Sequence, residues 1–177
     1  MSLAAHAALM AKYNAQMNGQ VYACAAKLPA DELAADRGAF FKSILGTLNH
    51  LVVADHIWLK RFAQHPARPT TLGPMADLAM PTSLDQILFP DFAELHHHRQ
   101  MLDEMISNWA EALTDADMAV ALDYKNTKGL PFRKHFGSLV MHFFNHQTHH
   151  RGQVTTLLMQ AGRDVGVTDL LITIPAA

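Results

Sequence analysis

The sequence predicts an all-α fold, a four-helix bundle in one domain that spans residues 1–177. Three observations predict it. Four long segments carry apolar residues at three- and four-residue steps, the spacing of a single buried helical face. Their connections are short except for one, as in bundles. A chain of 177 residues also has the usual length of one domain.

The first two helices are delimited by proline and by a capping serine. Residues 1–28 are rich in Ala, Met and Leu, which are good helix formers, and Pro29 follows directly. The second helix is predicted over residues 43–63, with Ser43 as its N-cap. Residues 64–83 contain four prolines, so they are predicted as a long loop without a regular element. This loop suggests that the second and third helices are not simple antiparallel neighbours.

The second half of the chain contains the other two long helices. The third helix is predicted over residues 90–113 and the fourth over residues 132–160. Between them, residues 120–124 and 130–132 flank a Gly-containing turn, so this stretch forms either a short hairpin or only an ordered loop. The tail, residues 164–177, is expected to pack irregularly on the bundle.

Composition and charge exclude several classes of protein. The formal net charge is -2, with 14 basic and 16 acidic residues, which argues against a nucleic-acid binder. No apolar run approaches the roughly 18 residues of a membrane span, and the first residues do not resemble a signal peptide. The single cysteine, Cys24, rules out an internal disulfide and is predicted to be a core residue. We therefore expect a cytoplasmic protein.

Histidines dominate the chemistry, with 12 in the chain. In the fourth helix His142, His146, His149 and His150 share one face, because each residue turns by about 100°. Side chains four residues apart are adjacent and can reach one ion at about 2.1 Å. His142 and His150 are separated by about 12 Å along the axis, so they cannot bind the same ion. Helix geometry alone does not separate His150 from His142 or His149.

A third ligand has to come from another helix, and His50 is the best candidate. Its turn neighbours Gly46, Thr47 and Ala54 are small, which lets another helix or an ion come close. Three neutral histidines with open positions are typical of a catalytic metal site. Taken alone, a buried histidine such as His50 is more often a hydrogen-bonded core residue than a metal ligand. A pair of histidines four residues apart on a helix is, taken alone, as typical of a partly solvated face as of a metal site.

The other histidines have no such arrangement. Residues 96–98 are consecutive histidines that point about 100° apart and are expected to form a mainly solvated turn. His6, His56 and His65 have no visible partner, and His135 is expected to cap or pack, or to line a pocket.

Competing chemistries lack their motifs. A ferritin-like di-iron site needs two Glu-x-x-His motifs and two more glutamates, and this chain has one such motif, Glu94 to His97, among four glutamates. The His-Glu-x-x-His, Gly-x-Ser-x-Gly and phosphate-loop patterns are absent.

Three segments resemble a known family. Residues 47–59 (TLNHLVVADHIWL), 146–153 (HQTHHRGQ) and 166–171 (GVTDLL) resemble the second-helix, fourth-helix and C-terminal motifs of the DinB/YfiT-like metalloproteins. This is the damage-inducible DinB family, not the polymerase that shares the name. The resemblance implies a four-helix bundle, usually a homodimer, with a divalent ion held by three histidines. Carried over by position, these are His50, His146 and His150.

The resemblance also implies a range of activities. Some relatives are transferases or isomerases that use low-molecular-weight thiols. The expected function is therefore a metal-dependent enzyme, a hydrolase or thiol-dependent transferase acting on a small molecule. The alternative is a non-enzymatic metal-binding, stress-associated protein. A role in DNA repair rests only on the family's name, and the charge balance speaks against it.

Three imidazoles suit zinc, nickel or iron, and also copper. Because bound histidines must be neutral, metal occupancy is expected to fall below about pH 6.5. Asp55 and Trp58 match family positions, but Asp55 lies about 140° around the helix from His50 and is not expected to bind the same ion. Arg151 and Gln153 either orient a ligand or pack against a neighbouring helix.

Overall fold

The computed structural model describes residues 1–67 and 69–176, and this part of the chain is mostly helical. The long helices are α1 (Leu3–Ala25), α3 (Ile44–Phe62), α4 (Phe92–Ala112) and α6 (Phe136–Gln160). The short elements are α2 (Ala30–Ala34), α5 (Asp115–Ala119), β1 (Ala121–Lys125), β2 (Pro131–His135) and two 3-10 helices (Thr70–Ala76 and Leu170–Thr173). The fold agrees with the all-α prediction, and of the two alternatives for residues 120–132 the structure has the short hairpin.

The helices α1, α3 and α4 begin where a side chain accepts a hydrogen bond from one of their first free N–H groups. The hydroxyl of Ser43 accepts a hydrogen bond from the Gly46 N–H at 2.9 Å, which confirms Ser43 as the N-cap of α3. The carboxylate of Asp91 caps α4 in the same way, by accepting from the Glu94 N–H. The α3 helix therefore starts at a fixed position, two turns before His50.

The long helices pack side by side around one core. Helix α1 lies against α4 and α6, and α3 lies against α6 and, over a smaller area, α4. Phe62, Trp109, Phe136 and Phe143 form the aromatic part of this core, with ring centroids 5.2–6.4 Å apart. The packing of α3 on α6 brings the histidines of the two helices together.

Two predictions about the secondary structure are wrong: where the fourth long helix begins, and the absence of a regular element in residues 64–83. The fourth long helix does not begin at Phe132, because residues 131–135 form strand β2, which pairs with β1 in an antiparallel hairpin. The stretch predicted as a loop without a regular element contains the 3-10 helix Thr70–Ala76. Its buried side chains Leu72 and Met75 hold this helix against α3 and α4, and a proline in so short a helix removes only one donor.

The C-terminal tail lies on α1. The hydroxyl of Tyr13 donates to the Thr168 carbonyl oxygen at 2.6 Å, and the Thr173 hydroxyl lies 3.1 Å from Gln16 Oε1. Cys24 is buried beside this tail, as predicted for a core residue. Of the helices described, none has the length and apolar character needed to cross a bilayer.

Candidate metal centre

Three imidazoles from two helices converge at the contact between α3 and α6. Nε2 of His50 lies 3.3 Å from Nε2 of His146 and 3.3 Å from Nε2 of His150. Each of the three residues has a ring nitrogen within 4.8 Å of those of the other two, so the group could hold a metal ion. The structure therefore brings together the three histidines that the sequence motifs indicate.

The outer nitrogens of two of these rings are hydrogen-bonded to fixed acceptors. Nδ1 of His50 donates to the carbonyl oxygen of Leu84 at 2.7 Å, and Nδ1 of His150 donates to Oε1 of Gln153 at 2.8 Å. A carbonyl oxygen can only accept, so in each neutral ring the proton sits on Nδ1 and Nε2 carries the lone pair. This is the tautomer that metal-binding histidines adopt.

The spacing of the lone pairs fits an ion. Two lone pairs 3.3 Å apart repel each other unless a cation lies between them. A tetrahedral ion with Zn–N bonds of about 2.1 Å places its ligand nitrogens roughly 3.4 Å apart, close to the 3.3 Å found here. On this test the three residues fit a divalent ion.

The electrostatic environment keeps the rings neutral. Burial, together with the neighbouring imidazoles, lowers the pKa of His50 to about 4 and that of His146 to about 3. Burial also lowers the pKa of His150. Protons should therefore compete with a metal ion only below the pH of about 6.5 expected for an exposed histidine.

An aromatic ring covers one side of the group. Phe41 stacks on the His50 ring with centroids 3.7 Å apart and meets His150 edge-on at 5.6 Å. The sequence analysis did not select Phe41 or the Leu84 carbonyl. A backbone carbonyl has no signature in sequence, and Phe41 lies before α3 in a segment with no periodic pattern.

The two remaining histidines of the α6 face lie at its margin. His142 packs edge-on against Trp58 at 5.1 Å and lies one turn from His146. His149 is exposed, and its Nε2 lies 3.2 Å from Nε2 of Gln153. Neither belongs to the convergent group, whose two members from α6 are His146 and His150.

Asp55 belongs to a separate buried network. Its carboxylate binds the Arg99 guanidinium at 2.5 Å and accepts a hydrogen bond from the Gln147 amide. Arg99 also lies 3.1 Å from Asp103, and both Asp55 and Arg99 are almost fully buried. The network joins α3, α4 and α6 inside one chain.

Arg151 anchors α6 to α1. It is buried, donates to Asn14 Oδ1 and Asn18 Oδ1, and lies 5.4 Å from the Tyr13 ring. Of the two roles considered for Arg151 and Gln153, Arg151 therefore packs against a neighbouring helix, whereas Gln153 orients His150.

Two predictions about other histidines are wrong. His56 has a partner, because its Nε2 lies 2.6 Å from Nε2 of His98. His98 is buried rather than solvated, and its ring stacks on Phe89. The pair connects α3 to α4, a contact that no spacing within one helix could reveal. His65 is buried against Phe136, whereas His135 stands exposed before α6 with no capping bond from its side chain.

The fold and site together define a helical protein with a three-histidine group suited to a metal ion. The family model for the DinB family matches residues 1–177, the whole chain, so the protein belongs to the DinB family. This confirms the resemblance seen in the sequence motifs. The comparison with curated proteins gave no match, and neither did the comparison with solved structures.

Proposed function

We propose that this protein is a metal-dependent enzyme acting on a small molecule, as a hydrolase or a thiol-dependent transferase. The observation that carries the proposal is the convergence of the Nε2 atoms of His50, His146 and His150, two of them with their Nδ1 atoms bound to carbonyl oxygens. These three residues would hold the ion, and zinc, nickel and iron are the metals they suit best.

The number of ligands supports an enzyme. Within the part of the chain that the structure describes, the convergent group contains three histidines and no carboxylate or thiolate. Structural zinc sites are almost always closed by four protein ligands, whereas catalytic sites keep a position for water or substrate. A divalent ion bound there would supply Lewis-acid chemistry: it would lower the pKa of a bound water molecule or thiol, so that this group becomes a nucleophile at neutral pH.

The protein's own residues supply orientation and shielding. The Leu84 carbonyl and Gln153 fix the ring planes of His50 and His150, and Phe41 excludes water from one side of the His50 ring. Ligands held in one orientation do not have to reorganise during a reaction, which lowers its barrier. The alternative, a metal-binding protein without enzymatic activity, would use the same three ligands with the remaining position closed.

We also propose the bundle architecture, the location and the oligomeric state that the family resemblance implies. The four long helices would form a DinB/YfiT-like four-helix bundle within one domain, residues 1–177, and the chain would act as a cytoplasmic homodimer. Size-exclusion chromatography with light scattering measures the mass directly. A molar mass of 19.6 kDa at micromolar concentration would contradict the dimer.

Metal content tests the proposal. Elemental mass spectrometry of tag-free protein should find about one ion per chain, lost in His50→Ala and in His150→Ala. His149→Ala is the matched control, since His149 adjoins His150 but lies outside the group. Circular dichroism should show that all three variants stay folded.

No bound ion after reloading with zinc or nickel would contradict the proposal. Equal loss of metal from the His149→Ala control would also contradict the ligand set. Once one ion per chain is found, thiol transfer and hydrolysis of small-molecule substrates can be assayed. A fourth protein ligand seen by X-ray absorption spectroscopy would favour the non-enzymatic alternative.

A further inference from the structure

A large cavity lies next to Leu84, the residue whose carbonyl accepts a hydrogen bond from His50. It has a volume of about 1010 Å³ and lies between the second half of α3, the segment 80–84 and the β1–β2 hairpin. Its apolar wall includes Ile57, Met80, Tyr124 and Phe132. This size is at the upper end of the range of small-molecule sites, which are also mainly apolar with a few polar groups.

One polar group in this cavity is unusual. Arg61 lines the cavity, is only 9% exposed and has its guanidinium 4.7 Å from the Trp58 ring and 5.1 Å from the Tyr124 ring. Among the described residues, no carboxylate pairs with it and no side-chain hydrogen bond satisfies it. A buried cation normally has a partner, since burial without one costs free energy.

The other charges of the cavity leave it positive. Lys125 and Arg133 add two cations to that of Arg61. Asp123 is the one carboxylate among the lining residues, and it is bound to Arg133 at 2.9 Å. The guanidinium of Arg61 is therefore free to pair with an anionic group that enters the cavity.

The cavity and the histidine group share one stripe of α3. Ile57 and Arg61 follow His50 by seven and eleven residues, so all three point within about 20° of one direction, and Arg61 lies roughly 16 Å further along the axis. Leu84, whose carbonyl accepts from His50, also lines the cavity. A molecule in the cavity can therefore extend from Arg61 towards His50.

We propose that this cavity binds a small organic anion whose carboxylate or phosphate pairs with Arg61 and whose apolar body extends along α3 towards His50. The planar guanidinium fork matches both oxyanions with paired hydrogen bonds. The inference names the substrate class of the proposed metal-dependent enzyme. It rests on that proposed function only for the reaction at the end of the anion that extends towards His50.

Binding to the metal-free protein tests Arg61 by itself. Hexanoate, hexyl phosphate and hexanol carry the same six-carbon apolar chain. Each is titrated into the protein while two-dimensional NMR follows the signals of the protein's methyl groups. Hexanoate or hexyl phosphate should bind and hexanol should bind far more weakly. The stronger of the two anions shows which oxyanion the cavity prefers.

Two arginine variants separate the role of Arg61 from general charge. Arg61→Gln should weaken anion binding roughly 10- to 100-fold, the effect of losing a charged hydrogen bond. Arg133→Gln, an exposed cation of the same cavity, should change it less than about threefold. Arg61→Lys, which keeps the charge and much of the packing, serves if Arg61→Gln does not fold.

The orientation is tested separately in cobalt-loaded protein. Paramagnetic Co²⁺ speeds the relaxation of ligand protons with the inverse sixth power of distance. The protons of the methyl group at the far end of the bound anion should relax faster than the protons on the carbon next to the oxyanion.

The outcomes distinguish this inference from the metal proposal. Equal binding of hexanol and the anions, or unchanged binding by Arg61→Gln, would overturn the assignment of Arg61 even if the protein binds metal. Faster relaxation at the oxyanion end would overturn the proposed direction. Anion binding that depends on Arg61 in a protein that takes up no metal would leave the anion site standing and remove only its link to the enzyme.

Discussion

Gly46 provides the space that the backbone of Phe41 occupies beside the histidine group. A Cβ atom at position 46 would come within 3.0 Å of the Phe41 carbonyl oxygen. The Phe41 ring in turn stacks on His50, one helical turn after Gly46. The next residue, Lys42, has a φ of 67°, a conformation that non-glycine residues adopt only when their surroundings impose it. Because Gly46 has no side chain, the Phe41 backbone can approach α3 closely enough for the Phe41 ring to stack on His50.

Replacing Gly46 should therefore damage both stability and metal binding. Gly46→Ala forces the segment before α3 away, so we expect a loss of about 1–3 kcal/mol in the free energy of unfolding and weaker zinc affinity. Urea denaturation followed by circular dichroism measures the first, and competition with a chromophoric chelator measures the second. Gly19→Ala is the control, since a Cβ there meets nothing within 4 Å and should stabilise α1 by about 0.5–1 kcal/mol. Equal effects of the two substitutions would contradict this role for Gly46.

Gln153 should set the metal affinity through His150. Its Oε1 accepts the Nδ1–H of that ring, and loss of such an outer partner typically costs about 10- to 100-fold in metal affinity. We expect this loss for Gln153→Leu. Gln153→Glu keeps an acceptor and should bind zinc at least as tightly as the original protein. Isothermal titration calorimetry of both variants decides, and an unchanged Kd for Gln153→Leu would rule out the orienting role.

The buried ion pair between Asp55 and Arg99 should be costly to break from one side. Arg99→Leu leaves the Asp55 carboxylate buried without its cation, and the expected loss is about 3–5 kcal/mol in the free energy of unfolding. The double variant Asp55→Leu, Arg99→Leu should lie closer to the original protein, because the buried Asp55 carboxylate is gone. Only Asp103, which is partly exposed and still accepts a hydrogen bond from Asn18, then lacks Arg99.

The exposed pair of Arg133 and Asp123 is the matched comparison. Arg133→Ala should cost less than about 1 kcal/mol, because water solvates the remaining charge. Denaturant titrations of the three variants give the values. A double variant less stable than Arg99→Leu alone would contradict the explanation by an unpaired charge.

The His56–His98 pair should make stability depend on pH. Burial lowers the pKa of both rings to about 4; the positive charge of Arg99 contributes to both shifts, and that of Lys60 contributes at His56. In the unfolded chain each titrates near 6.5. The stabilisation is therefore complete above about pH 6.5 and is lost as the pH falls towards 4, because the unfolded state takes up the protons first.

Each histidine of the pair contributes at most about 1.4 kcal/mol per pH unit to this slope. The measurement is the difference in unfolding free energy between about pH 7 and pH 5, made on metal-free protein. The double variant His56→Leu, His98→Leu should show a shallower slope, and His6→Ala, at a partly exposed position outside the pair, should keep the original one. A slope unchanged in the double variant would show that other groups cause the pH dependence.

What the sequence could predict follows the range of the interactions involved. The i, i+4 spacing put His146 and His150 side by side, and the small residues around His50, with the family motifs, indicated the third member. Caps such as Ser43 were predictable because they act within one turn. The fourth helix was predicted to start too early because Phe132 fits its apolar pattern, but the hairpin pairs Phe132 with Tyr124.

Contacts between distant segments were not predictable. His98 looked solvated because it belongs to three consecutive histidines, and only the packing of α4 on α3 gives it a partner. In the same way, the helix position of Asp55 separated it from His50, but nothing in the sequence indicated Arg99 as its ion-pair partner. Such pairs depend on how helices align, which a single sequence does not reveal.

The hydrogen bond from His50 to position 84 has an evolutionary consequence. The acceptor is a peptide carbonyl, which every residue type possesses, and the Leu84 side chain is half exposed and lines the cavity. Mutation can therefore reshape this part of the cavity while His50 keeps its acceptor. Homologous chains are free to acquire preferences for different molecules at position 84 and still retain the same trio of imidazoles.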